Sequence, residues 1–258
     1  METPIIDQDS GESPAPNNDN TTGMQKVLAR LNVGAANHIW HDLKPRVTSS
    51  LIMVAIFLFS VTVGGALFAG MVLVVAMLMV REWDFLTADK PAKWGWYGIA
   101  YIAAACSSII WLRGIATPIH PHAGMGLVMY LVAVVVATDI AAYVVGKRIG
   151  HNKLAPEISP GKTWEGLAGG VIGAGAAGFL CAAFTPFPYT TTECIILAML
   201  LAFIAQAGDL FESKLKREAG VKDSGSLIRG HGGILDRLDG MLTTAPIFAF
   251  IVVISGLQ

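Results

Sequence analysis

The longest uncharged run of the chain contains the thirty residues from Leu51 to Val80. As one helix this run would measure about 45 Å at 1.5 Å per residue, whereas the hydrocarbon core of a bilayer is about 30 Å thick. The run is therefore too long for one membrane span and short for two. Gly64 and Gly65 lie at its centre, where a tight turn is easily made. We expect two helices joined at these glycines.

The scarcity of charge excludes a soluble globular domain. Only 14% of the 258 residues are charged, against roughly a quarter in soluble proteins. The net charge of −1 also excludes a nucleic-acid-binding protein defined by bulk basicity. We predict an all-α, polytopic helix bundle with about seven transmembrane helices, in a range of six to eight. Beyond the first two helices, the apolar runs are 94–112, 124–145, 166–184, 193–207 and 241–257.

The distribution of basic residues favours two helices in the first run. With two helices, 17 of the 18 Lys and Arg residues share the side of the N-terminus, and only Arg113 lies opposite. A single first helix would scatter the basic loops over both faces. Because positive loops stay in the cytoplasm, we expect an integral protein of the bacterial cytoplasmic (inner) membrane with a cytoplasmic N-terminus.

Composition divides the chain into four parts. The first part is polar with few large apolar side chains, which is typical of a disordered tail, and the second is mildly amphipathic. The predicted parts are a tail (1–23), a juxtamembrane segment (24–46), N-terminal transmembrane helices (47–123) and a catalytic transmembrane region (124–258) with cytoplasmic loops 146–165 and 211–239.

The first of these loops has the pattern of a helix start. Ser159 followed by Pro160 predicts an N-cap and a proline at the first helical position. Lys162 and Thr163 would then lie in the first turn, where free amide N–H groups and a lysine suit a phosphate. The sequence equally allows a capped helix whose lysine only lies at the membrane interface.

The second loop is dense in acidic and basic side chains. Asp236 and Asp239 are spaced i, i+3 at the start of the last span. Carboxylates that converge among lysines and arginines suit a divalent cation bridging phosphate oxygens, although a solvated basic loop with salt-bridged acids remains the alternative. Four further polar residues, spaced i, i+3, i+4 and i+7, share one helix face: Asp209, Glu212, Ser213 and Lys216.

An acid also lies within the fourth apolar run. Asp139 has apolar neighbours, and a carboxylate at membrane depth marks a functional site unless it only joins two helices through a hydrogen bond. Both interpretations stay open.

These residues resemble the signature of the phosphatidate cytidylyltransferases, also called CDP-diacylglycerol synthases. The family pattern Ser-x-x-Lys-Arg, Lys-Asp, His-Gly-Gly, Asp-Arg-x-Asp is matched in order from Ser213 to Asp239. Upstream, Asp139 and the run Ser-Pro-x-Lys-Thr-Trp-Glu-Gly from Ser159 also match, while Gly161 stands where many members carry a second lysine. The similarity is strong from about Thr138 to Asp239.

The resemblance implies magnesium-dependent transfer of the cytidylyl group from CTP to phosphatidic acid, which gives CDP-diacylglycerol and pyrophosphate at the cytoplasmic face. A second, monovalent cation and a homodimer are left open, membrane lipids are expected partners and nucleic acid is not. By resemblance the catalytic residues are Asp209, Asp236, Asp239, Lys216 and Arg237, the substrate-binding residues are Ser159, Lys162, Thr163, Ser213, Arg217, Lys222 and His231, and the metal ligands are Asp209, Asp236, Asp239 and Asp139.

Two other functions remain as alternatives. A membrane lipid kinase that uses CTP or ATP would share the acidic and basic loop, but the Asp-Arg-x-Asp and Ser-Pro-x-Lys-Thr pair favours the cytidylyltransferase. A transporter of an anionic solute is the non-enzyme alternative, and broken spans with pseudo-repeats would be typical of it.

Overall fold

The computed structural model describes residues 47–116, 120–184, 189–225 and 232–255. Within them the chain forms seven helices and one two-stranded sheet. The tail and the juxtamembrane segment predicted for residues 1–46 lie outside the described residues. In chain order the elements are α1 (Val47–Val63), α2 (Gly65–Leu86), α3 (Lys93–Gly114), α4 (Ala123–Ile149), β1 (Lys153–Ala155), β2 (Ser159–Thr163), α5 (Trp164–Phe184), α6 (Thr191–Glu218) and α7 (Leu235–Ile254).

The predicted break at the two central glycines is confirmed. Gly64 and Gly65 have φ angles of 70° and 56°, a backbone region that residues with a side chain rarely adopt. The Ser60 hydroxyl lies 2.9 Å from the Met71 sulfur, although eleven residues in one straight helix would span about 16 Å. The chain therefore folds back on itself, and α1 and α2 form a helical hairpin.

The length and composition of the helices confirm the fold class. Six helices, α2 to α7, are long and apolar enough to cross a membrane, and α1 is a shorter apolar helix of 17 residues. Large apolar side chains such as Leu51, Phe59 and Phe250 are exposed on the outside of the bundle, as expected where a protein faces lipid. The protein is an integral membrane protein.

Arg113, predicted to be the one basic residue on the far side, has a role within the fold. Its guanidinium donates hydrogen bonds to the carbonyl oxygens of Val61 (2.6 Å) and Thr62 (3.1 Å). These carbonyls belong to the last turn of α1, which has no helical N–H groups left for them. Arg113 therefore caps α1 and fastens α3 to the hairpin.

Small residues bring α4 and α5 close together. A Cβ added at Gly166 would lie 2.9 Å from the Ala142 carbonyl oxygen, and one at Gly173 would overlap the Ala141 side chain. Glycine at these positions allows the two backbones to approach closely, as is common between membrane helices. The end of α4 and the start of α5 are thereby held together beside the charged end of the bundle.

The helix start predicted at Ser159 and Pro160 is wrong. Ser159–Thr163 forms strand β2, which pairs antiparallel with β1 in the register Lys153 to Thr163 and Ala155 to Ser159. The helix begins at Trp164, because the Thr163 hydroxyl accepts a hydrogen bond from the Gly166 N–H (3.1 Å). That contact is an N-cap, so the cap lies four residues later than the pattern suggested.

The connections on the charged side lie at one end of the bundle. Lys90, after α2, is ion-paired with Glu218 at the end of α6. Arg217 of α6 donates a hydrogen bond to the Ile158 carbonyl in the β1–β2 hairpin (3.2 Å). Within the stretches predicted as cytoplasmic loops, 146–165 and 211–239, α4 ends at Ile149 and α5 begins at Trp164, while α6 ends at Glu218 and α7 begins at Leu235.

Candidate functional site

Lys162 of β2 and Asp209 of α6 form an ion pair at the charged end of the bundle. The Lys162 Nζ lies 2.6 Å from the Asp209 Oδ2, and both side chains are largely shielded from solvent. The Ser213 hydroxyl donates to the other Asp209 oxygen at 3.2 Å, which is the i, i+4 contact that the predicted helix face requires. β2 therefore places Lys162 beside Asp209, the acid at the end of the apolar part of α6.

Lys216 joins α6 to α7. Its ammonium lies 3.1 Å from the Glu212 Oε1 on its own helix and 2.5 Å from the Asp236 Oδ1 on α7. All three side chains are at most 11% exposed. Two acids therefore share one buried cation, an arrangement in which the loss of the cation is costly.

The second oxygen of Asp236 organises the backbone around the start of α7. It accepts hydrogen bonds of 2.9 Å from the N–H groups of Ser224 and Gly233. A carboxylate in the first turn of a helix also interacts favourably with the helix dipole. Asp236 therefore has both oxygens engaged, one by Lys216 and one by the backbone.

Asp239 and Asp139 add further negative charge beside these pairs. Asp239 interacts electrostatically with Asp209, Glu212 and Asp139, while Asp139 accepts a hydrogen bond of 3.5 Å from Gln206 on α6. Asp139 is exposed on the surface of the bundle. The side chains of α4, α6 and α7 thus present five acids, against Lys162 and Lys216.

The donor set fits a hard divalent cation in its chemistry. Within the described residues no three His, Cys, Asp or Glu side chains are grouped closely enough to hold a metal ion by themselves. However, Glu212 is 4% exposed and its Oε2 has no hydrogen-bond partner among those residues. A buried carboxylate oxygen left in this way is costly unless a ligand satisfies it. Carboxylate oxygens and an excess of negative charge are what Mg²⁺ prefers.

Several of the residues predicted to bind substrate are engaged within the fold instead. Arg217 donates to the backbone carbonyls of Ile158 and Val221, and Thr163 caps α5. Ser159 lies in β2, so it offers no helix start to a phosphate. The side chains of Lys222 and Arg237 are exposed. His231 lies outside the described residues.

Two acids at this site were missed as site residues. Glu212 shares a helix face with Lys216, and its i, i+4 spacing was a usable signal. Glu82 of α2 is buried and contacts residues on both sides of 226–231. Its only signal in the sequence is that a charged residue closely follows an apolar run.

Most of this site lies in a stretch of the chain that matches a known protein family. Residues 92–255 match the model of a family described as the cytidylyltransferase family. The matched stretch contains Lys162, Asp209 and Lys216, together with Asp236 and Asp239.

Curated bacterial proteins are similar over most of the chain. A phosphatidate cytidylyltransferase of Brucella suis is 32% identical, over 80% of this chain and 92% of that protein. One of Rickettsia bellii is 36% identical, over 81% of this chain and 90% of that protein. One of Haemophilus influenzae is 44% identical over 50% of this chain and 46% of its own length.

Replacing Lys216 with methionine is expected to destabilise the protein by about 3–5 kcal/mol, because Glu212 and Asp236 then lose their shared buried cation. Thermal unfolding in detergent should show a lower Tm for Lys216→Met, and Glu212→Gln in the same chain should recover part of the loss. Lys214→Met, at an exposed position two residues away, is the control. An unchanged Tm in Lys216→Met would contradict the shared-cation arrangement.

Proposed function

Because the chain belongs to the cytidylyltransferase family, we propose that it transfers the cytidylyl group of CTP to phosphatidic acid. The products are CDP-diacylglycerol and pyrophosphate. The observation that carries the proposal is the cluster of Lys162, Asp209, Lys216, Asp236 and Asp239 at one end of a membrane bundle. This placement lets a water-soluble nucleotide meet a phosphate that remains anchored in the bilayer.

The reaction consists of one displacement at phosphorus. An oxygen of the phosphatidate phosphate attacks the α-phosphorus of CTP, a new phosphorus–oxygen bond forms, and the bond to the bridging oxygen of the β-phosphate breaks. Pyrophosphate leaves with that electron pair. Such a transfer needs little covalent chemistry from the protein, so positioning and neutralisation of charge supply most of the catalysis.

Lys162 is the best-placed cation for the nucleotide. It lies on a strand, its ammonium is held by Asp209, and the side chain is 16% exposed. A lysine fixed in this way presents its remaining donors in a constant direction, so it binds a phosphate oxygen without first being ordered. Lys216 is more deeply enclosed between Glu212 and Asp236. We assign to Lys216 the fixing of α7 against α6.

A divalent cation is part of the proposal. CTP and phosphatidate are both anionic, and five carboxylates with two lysines would repel them without additional positive charge. Asp209, Glu212 and Asp239 are the residues that would contribute ligands to Mg²⁺, together with the bound phosphates and with Asp139 nearby. When bound, the ion would neutralise phosphate oxygens and the charge that develops on the leaving pyrophosphate.

Asp236 was predicted as a metal ligand, and its contacts support a different role. Lys216 and two backbone N–H groups occupy its oxygens. We propose that Asp236 holds Lys216 and the loop before α7 in place, and that the cation is bound by its neighbours.

The proposed orientation places the site in the cytoplasm, where CTP is made. The basic residues predicted to be cytoplasmic include Lys90, Lys162 and Arg217, and the structure gathers these at one end of the bundle. This agrees with the positive-inside rule and with a bacterial cytoplasmic membrane.

The function is tested with purified protein, phosphatidate in mixed micelles and CTP labelled at either the α- or the γ-phosphorus. We expect α-label to enter the lipid and γ-label to leave as pyrophosphate, with Mg²⁺ required and EDTA abolishing the transfer. A lipid kinase would give the opposite pattern of label, and transfer of γ-label to lipid would overturn the proposal.

The metal ligands are tested in the same assay. Asp239→Asn is expected to lower turnover at least about 100-fold, since it removes a main electrostatic contributor, and added Mg²⁺ should recover only part of it. The control is Asp89→Asn, an exposed acid in the loop after α2. Full activity of Asp239→Asn at low Mg²⁺ would remove Asp239 from the proposed ligand set.

Orientation is tested by cysteine labelling in a background that lacks Cys106, Cys181 and Cys194. Cysteine is placed at Gly161, in β2 near the hairpin tip, or at Gly114, at the opposite end of the bundle, since an added Cβ meets no atom within 4 Å at either position. An impermeant thiol reagent added outside intact cells should label Gly114→Cys and spare Gly161→Cys. The reverse pattern would contradict the cytoplasmic site.

A further inference from the structure

Glu82 is a buried acid on α2 that contacts the start of α7. It is 4% exposed, and three groups donate hydrogen bonds of 2.9 Å to its carboxylate. The Ile234 N–H donates to Oε1, while the Leu235 N–H and the Ser224 hydroxyl donate to Oε2. Both oxygens are therefore satisfied by residues more than 140 positions further along the chain.

The carboxylate caps α7 from another helix. Ile234 is the N-cap residue of α7 and Leu235 is its first residue, and N–H groups at this end of a helix have no partner within the helix. A negative charge at this end is also favoured by the helix dipole. Such caps are normally supplied by a residue next to the helix in the chain, whereas here α2 supplies it.

Two glycines make room for the carboxylate. A Cβ at Gly225 would lie 2.8 Å from the Glu82 Oε1, and a Cβ at Gly233 would lie 2.5 Å from its Oε2. Both distances are shorter than side-chain carbons tolerate. The backbone on either side of 226–231 is therefore shaped around Glu82.

The same backbone positions Asp236. Ser224 donates its hydroxyl to Glu82 and its N–H to Asp236, and the Gly233 N–H that binds Asp236 precedes the two N–H groups that bind Glu82. Asp236 in turn holds Lys216. A continuous series of contacts thus joins α2 to the acid–lysine pairs. Glu82 itself precedes residues 92–255, which match the family model.

We propose that Glu82 is a positioning residue for the reaction: it holds Ser224 and the start of α7 so that Asp236 and Lys216 keep their arrangement. The proposal rests on the proposed function, because turnover is its readout. α2 then helps to position the site in addition to spanning the membrane.

The test compares Glu82→Gln with Asp84→Asn in the labelled-CTP assay. The glutamine keeps the size but places an amide NH₂ where the carboxylate accepted from N–H and O–H donors. We expect kcat to fall about 10-fold or more per folded molecule, since small misplacements in a site cost up to about 100-fold. Asp84 is exposed on the same helix, so Asp84→Asn should keep the wild-type kcat.

A double-mutant cycle with Gly225 separates positioning from folding. Gly225→Ala should reduce kcat when Glu82 is present, because the new methyl group pushes the carboxylate away. In a Glu82→Ala background the same change should add little further loss, since the three atoms nearest that Cβ belong to Glu82. Size-exclusion profiles and Tm values measure the folded fraction of each variant.

The outcomes distinguish the two proposals. Wild-type protein that transfers the α-label, with Glu82→Gln at the wild-type kcat, would overturn the role of Glu82 and leave the function standing. Wild-type protein that never transfers the label would overturn the function itself. Loss of folded protein in both Glu82→Gln and Gly225→Ala would show that Glu82 acts through folding alone, and the positioning role would then be wrong.

Discussion

Charged side chains placed beside a membrane must find partners within the protein, and the structure of the charged end depends on this constraint. Lys162 is paired with Asp209, and Lys216 is shared by Glu212 and Asp236. The Lys162–Asp209 and Lys216–Asp236 pairs join different elements, so the electrostatic requirement also fixes β2 against α6 and α6 against α7. The arrangement of the proposed site and the packing of the helix ends are consequences of the same contacts.

The acids outnumber the lysines, and this imbalance links the architecture to the proposed chemistry. A site in which Asp139, Asp209 and Asp239 interact electrostatically repels an anionic nucleotide unless positive charge arrives with it. The Glu212 oxygen that lacks a hydrogen-bond partner in the described part of the chain also favours a bound cation. A divalent cation that accompanies CTP would satisfy both requirements, whereas a site made only of lysines would bind phosphate without any metal.

Apolar runs and local spacing predict much of the fold, and contacts between distant residues account for the rest. The hairpin at Gly64 follows from span length, and the Lys216–Glu212 pair follows from helical spacing. Lys216 lies 20 residues from its partner Asp236, and Ser224 lies 142 residues from its partner Glu82, where no periodicity connects them. The helix start predicted at Ser159 is wrong because the Thr163 hydroxyl, four residues later, caps the helix instead.

Lys162, held by Asp209, is the residue that we propose binds a phosphate of CTP. Calorimetric titration of CTP into purified protein with Mg²⁺ tests it without turnover. Lys162→Ala should weaken CTP binding about 10-fold or more, because a charge-assisted hydrogen bond contributes about 1.5–3 kcal/mol. Lys147→Ala, at the exposed end of α4, should leave the Kd unchanged. Equal Kd values for wild type and Lys162→Ala would contradict the claim.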